Sequence, residues 1–321
     1  MDRSRDPVER EAGGARDLYD IATWEPRSIV DRLSVAIYRA GLAGLRALLI
    51  LLAFLILLAQ IVLGGIGAVA DPVVGTLVLL SVVPALAIAA YVWYVDITPQ
   101  EPLSLLVVTF MLAVLFATFA AVVNSVAMPL FFVLPAVVGL PLFFFLVVGP
   151  VEEAVKLLAV RLHAYRSDTF DAVIDGAVYG AVAGLGFATI ENAMYITQGL
   201  NGGVGGLEAI GAAGGLAAVR ALAGPGHVLY SAIAGFYLGL AKFNPENAGP
   251  IVVKGLLIAA VFHALYNTLV GIVPELLTAT VEPLTAPVAV LGFVLAYQTI
   301  VGYFLYRKIA GYRRAYENVG A

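Results

Sequence analysis

Cysteine is absent from the 321 residues, histidine occurs 3 times, and charged residues make up only 12% of the chain. The missing cysteine excludes disulfide frameworks, thiolate nucleophiles and cysteine-bound metals. The scarcity of charge excludes a soluble domain, because the chain is 61% hydrophobic with a mean hydropathy of +0.96. A formal charge of −4 and a pI near 5.4 argue against nucleic acid as a partner. What is plentiful is long apolar runs, so the chain reads as an all-α polytopic membrane protein whose surroundings are the lipid bilayer.

Residues 1–25 alternate Arg with Asp and Glu and include Gly13-Gly14, a pattern expected of a solvated, mobile tail. From Pro26, Ile29, Leu33 and Ile37 share one helical face, as in a short interfacial helix. A secretory signal is not expected, since a long polar stretch precedes the first apolar run. Eight runs are long enough to cross a bilayer, near 42–69, 73–95, 103–127, 141–161, 175–197, 216–240, 251–273 and 284–306. Residues 128–140, with Pro129, Pro135 and Gly139, are apolar but broken and read as a connection. The division expected is a cytoplasmic tail over 1–41, a transmembrane domain over 42–307 and a cytoplasmic tail over 308–321. Lys and Arg collect on one side of this arrangement, with Arg220 the one basic residue counted on the other. Both termini are thus expected on the cytoplasmic side of the plasma membrane.

The apolar run around residue 150 contains Gly149-Pro150-Val151-Glu152-Glu153-Ala154-Val155-Lys156. A charged side chain at the centre of a membrane helix costs roughly 2.5–3.5 kcal/mol, so these three must be paired or used. Glu152 and Lys156 are i,i+4 with the glutamate N-terminal, the better-placed ion pair, which leaves Glu153 as the expected free carboxylate. The fifth run adds Glu191 and Asn192, together with Gly176, Gly180 and Gly184 at the spacing of close helix contact. His227 lies on the sixth run; His263 and Asn267, one turn apart on the same face, lie on the seventh. At 1.5 Å per residue, Glu153, Glu191, His227 and His263 all lie roughly 20–24 Å from the inner boundary.

A buried Glu is a general base for water, and His and Asn are donors to an oxyanion, so this set suits hydrolysis without a nucleophilic side chain. There is no Gly-x-Ser-x-Gly, and Asp171 and Asp175 lie near a helix end. Zinc on His227, His263 and Glu191 has the right ligand count, but the His-Glu-x-x-His signature is missing, so no cofactor is expected ahead of glutamate-activated water.

The ordered motifs Glu152-Glu153-Ala-Val-Lys156, Phe187-Ala-Thr-Ile-Glu191-Asn192, His227 and His263-Ala-Leu-Tyr-Asn267 resemble the PrsW family of intramembrane proteases, related to type II CAAX prenyl proteases. The stretch from Tyr94 to Pro102 is similar to that family's acidic, proline-containing loop. The resemblance implies an intramembrane endopeptidase acting on a membrane-anchored protein, such as an anti-sigma factor or another single-span protein. It implies Glu152 or Glu153 as base, His227 beside the water or carbonyl, and His263 with Asn267 at the oxyanion. Glu191 stands where the CAAX branch has histidine, and Lys156 and Asn192 support the set. Two alternatives stay open: a zinc-dependent membrane protease, and a non-enzymatic proton or cation carrier or peptide-binding scaffold.

Overall fold

The structure, a computed structural model, describes Asp17 and residues 25–60, 72–98, 101–200 and 207–319. Most of the expected N-terminal tail lies outside the described residues. The described elements are helical: α1 (Ile29–Gln60), α2 (Pro72–Tyr94), α3 (Leu103–Ala127), α4 (Ala136–Phe143), α5 (Gly149–Leu162), α6 (Val173–Leu200), α7 (Leu207–Lys242), α8 (Ala248–Thr280) and α9 (Ala286–Val319). Six stretches among the described residues are long and apolar enough to cross a membrane: Val73–Tyr94, Leu103–Leu130, Ala136–Arg166, Val173–Gly199, Pro245–Thr280 and Ala286–Asn318. The protein is therefore an all-α, multi-pass membrane protein.

The chain divides into two compact units, Met1–Phe54 and Leu55–Ala321. In the first, the residues expected as an interfacial helix run without a break into α1. Its start is a capping box: Asp31 Oδ2 accepts the Ser28 N–H at 2.7 Å and Ser28 Oγ accepts the Asp31 N–H at 3.0 Å.

The second unit is organised around α6 and α7, its most extensive helix pair. α7 carries Gly224-Pro225-Gly226-His227 in its middle and is buried continuously from Ala223 to Leu238. A helix shielded by protein on all sides has no need of a uniformly apolar sequence. Two glycine ribbons bring the pair together. A methyl group on Gly176, Gly180 or Gly184 of α6 would land on the carbonyl oxygens of Gly235, Ser231 or His227 of α7. One on Gly235 or Gly239 would land on the carbonyls of Gly176 or Val173. Only residues without Cβ permit this backbone contact.

The stretch expected as a broken connection contains a 3₁₀ turn (Met128–Leu130), after which α4 begins at Ala136 and runs into α5 through one π-turn, Phe144–Val148. The π-turn has a local cause: Pro150 has no N–H to return to the carbonyl four residues back. Gly149, next to it, faces the Ala260 carbonyl, which lets α5 approach α8. The bulge and the close contact set the direction of the two glutamates that follow.

Candidate active site

Five helices converge on one cavity of about 530 Å³, whose wall includes Asn124 of α3, Glu152 of α5, Glu191 of α6, His227 of α7, and His263 and Asn267 of α8. Residues expected at a common depth on separate helices are thus neighbours. Glu153 and Lys156 are 0% exposed, Glu152 4%, His227 5% and His263 2%.

Pairing on α5 is the reverse of the sequence expectation. Lys156 Nζ donates to Glu153 Oε1 at 2.7 Å, whereas Glu152 Oε2 stands 3.9 Å away. The cause is tertiary. Lys156 also donates to His227 Nδ1 at 2.9 Å and lies 4.2 Å above the Phe187 ring, so its head turns toward α6 and α7, the side that Glu153 faces. Glu153 is fully committed: Oε1 also accepts His263 Nδ1–H at 2.8 Å, and the Ser231 hydroxyl donates to Oε2 at 3.3 Å. Glu152 turns to the cavity. Its Oε1 accepts the Asn124 amide at 3.0 Å, and its buried Oε2 has no hydrogen-bond partner, 3.7 Å from His263 Nε2.

The two histidines are oriented from behind. With the Lys156 ammonium donating to Nδ1, the proton of His227 lies on Nε2, which faces Glu191 Oε2 at 2.8 Å. The bond from His263 Nδ1 to Glu153 turns its Nε2 toward Glu152, and the ring stacks on Tyr230 with centroids 5.3 Å apart. Glu191 is anchored by an ion pair with Arg220. Asn192 is buried one step behind the cavity: it accepts Arg220 Nε–H at 2.9 Å and donates to Ser81 Oγ at 3.0 Å.

Arg220 thus belongs to the site's frame, not to an outer loop as its charge alone suggested. It lies two turns before His227 on α7, a spacing that puts both on one helical face, and it packs over the Tyr195 ring at 4.5 Å. Asn124 also went unread; its signal was a lone amide in an otherwise apolar run.

Donor atoms of Glu152, His227 and His263 lie within 4.8 Å of one another, so these three could hold a metal ion. Two imidazoles and a carboxylate form a hydrolytic zinc set, and Glu152 Oε2 is an orphaned buried oxygen that an ion would satisfy. The sequence expectation had placed Glu191 in that set; in the structure Glu191 is engaged by Arg220 and His227.

Fold and site together define a polytopic membrane protein with a buried carboxylate–histidine centre opening on an internal cavity. Residues 101–300 match the family described as PrsW family intramembrane metalloprotease, and the chain belongs to that family. It is 31% identical over 201 residues to Protease PrsW of Geobacillus kaustophilus (strain HTA426), covering 60% of this chain and 79% of that one. Against Protease PrsW of Bacillus subtilis (strain 168) the identity is 30% over 195 residues, 58% of this chain and 79% of the relative. Protease PrsW of Clostridioides difficile (strain 630) is 27% identical over 194 residues, 60% and 77% of the two chains. No solved structure matches the chain. The protein is a peptidase of the membrane.

Proposed function

We propose that this peptidase hydrolyses a peptide bond of a membrane-anchored, single-span protein inside the helix bundle, using water activated by Glu152. The observation that supports this most is the free Oε2 of Glu152 on the cavity wall, a buried carboxylate oxygen with lone pairs to spare. Such an oxygen is a general base for water. The water oxygen bonds to the scissile carbonyl carbon as its proton passes to Glu152, and that proton goes to the departing amine nitrogen as the C–N bond breaks. The Asn267 amide, on the same wall, donates to the carbonyl oxygen as charge develops on it, with the His263 ring beside it. Glu153, with both oxygens taken, positions His263 through its ring N–H. Lys156 and Glu191 fix the His227 tautomer beside the water.

A metal-bound centre is the second reading, favoured by the donor set of Glu152, His227 and His263 and by the family's description. An ion there would supply Lewis acidity and a more acidic bound water. We rank it second because both nitrogens of His227 are already engaged and the Lys156 ammonium stands 2.9 Å from one of them. A dication beside a buried ammonium is electrostatically opposed. The topology that accompanies this function has both termini on the cytoplasmic side of the plasma membrane, supported by the one-sided Lys and Arg.

The experiment is reconstitution of the purified protein in liposomes with single-span peptides carrying a quenched fluorophore, and mass spectrometry of the fragments. Cleavage that is lost in Glu152→Gln supports the reading. A folded wild-type protein that cleaves none of a diverse peptide set but moves protons across the liposome would favour a carrier.

A further inference from the structure

A second group of carboxylates lies away from the cavity, where the chain leaving α2 meets the start of α6. Asp96, Glu101 and Asp175 each offer an oxygen within 4.8 Å of the others. Glu101 is 5% exposed, and neither of its oxygens has a hydrogen-bond partner; Asp96 Oδ2 has none either. The remaining oxygens are held in place. Asp96 Oδ1 accepts the Thr98 N–H at 2.9 Å and its hydroxyl at 2.6 Å. Asp175 Oδ2 accepts the N–H groups of Asp171 and Ala172 at 2.8 and 2.9 Å, and its Oδ1 is 3.1 Å from the Thr98 hydroxyl. One turn along α6, the fully buried Tyr179 hydroxyl lies in the field of all three carboxylates. Lys242, the ammonium that could have balanced Asp175, donates instead to the carbonyls of Tyr165, Ser167 and Phe170 at 2.9, 3.1 and 2.6 Å.

Unfilled oxygens that converge on one point, in a frame already fixed by backbone donors, are what a hard cation requires. We propose that Asp96, Glu101 and Asp175 form a binding site for a divalent cation of the calcium class. All the donors are oxygen, which selects against zinc and copper. Asp96 is only half-buried, which leaves the ion a route to solvent. The bound ion ties the α2–α3 connection to the start of α6, the helix that carries Glu191 and Asn192 to the protease centre. Its effect is on the rigidity of that frame, because the ion itself lies outside the cavity wall.

The test uses full-length protein in detergent micelles, stripped with chelator and titrated with calcium or magnesium by calorimetry and thermal melting. Terbium emission excited through tyrosine gives an independent signal. The expected result is saturable binding at one site and a rise in melting temperature. Glu101→Gln and Asp96→Asn should each weaken binding by about tenfold or more, since carboxylate count tunes such sites over decades. His263→Ala, which alters the other centre, should keep the calcium response. No saturable response to calcium, magnesium or terbium in the wild type, as a cluster neutralised by a shared proton would give, overturns the proposal. So does unchanged affinity in both carboxylate variants. None of these readouts depends on cleavage, so they separate this site from the proteolytic reading.

Discussion

Replacing each glutamate of the adjacent pair by glutamine should produce opposite failures. In Glu153→Gln the fully buried Lys156 ammonium loses its 2.7 Å partner, and His263 Nδ1 loses its anionic acceptor. Removing one member of a buried pair typically costs about 3–5 kcal/mol, so this variant should melt well below wild type and express poorly. Glu152→Gln should differ. Its Oε1 accepts only a neutral amide from Asn124 and its Oε2 has no hydrogen bond and only long contacts to Lys156 and His263, so a neutral isostere should leave the melting temperature near the wild-type value. Turnover should instead fall by about 10²- to 10⁴-fold, the usual contribution of a general base, or about 3–5 kcal/mol of barrier. A Glu153→Met, Lys156→Met double variant removes both charges together. It should recover stability relative to Glu153→Gln without recovering activity, because His263 and His227 lose their orienting partners. The assay is initial-rate cleavage of the quenched peptide in liposomes, paired with thermal melting of the same preparations. A stable, inactive Glu153→Gln beside a stable, active Glu152→Gln would refute the assignment and return the base to Glu153.

Gly180→Val should force α6 away from the Ser231 carbonyl and lower stability by about 1–3 kcal/mol or more, whereas Gly292→Ala, with open space around it, should be neutral by the same melt. Turnover should persist after chelator treatment. Loss with chelator and return with zinc, at one zinc per chain that His263→Ala abolishes, would instead establish the metal-bound reading. In chelator-treated protein the Glu101 carboxyl is pushed up to about 9, by burial first and by Asp96 next. Its stabilising contribution is then whole below about 4.5 and lost as pH rises through about 9, so the melting temperature should fall across that window. Glu101→Gln should flatten that slope, and a wild-type melt that does not vary with pH would contradict it. Reporter fusions after Arg166 and Arg314 should mark the cytoplasmic side; an exterior signal at Arg166 would break the eight-span arrangement.

The residues that announce the site could be read without a structure because the membrane makes polarity conspicuous. Glu152, Glu153, Lys156, Glu191, His227, His263 and Asn267 stand out in apolar runs, and equal distances from the run ends predict one level. Arg220 and Asn124 were harder to read. Arg220 sits near the end of a run, where a charge is normally explained by the interface, and a single Asn gives no partner by itself. Asp96, Glu101 and Asp175 are ordinary polar residues at loop and helix ends until a sequence separation of about eighty residues is closed in space.

The sequence by itself determined the all-α membrane class, the helices that carry polar residues and the glycine ribbon of α6. These follow from local composition and period, which the bilayer enforces residue by residue. Only the tertiary structure decided which glutamate Lys156 holds. Spacing on one helix favours Glu152, by a few tenths of a kcal/mol in an isolated helix. His227, Phe187 and Ser231, contributed by α6 and α7, act together on the other side, and their sum outweighs that preference. The same assembly leaves Glu152 Oε2 without a hydrogen bond on the cavity wall. The direction of a side chain on a helix surface is set by its neighbours on other helices, and no helix carries that information alone.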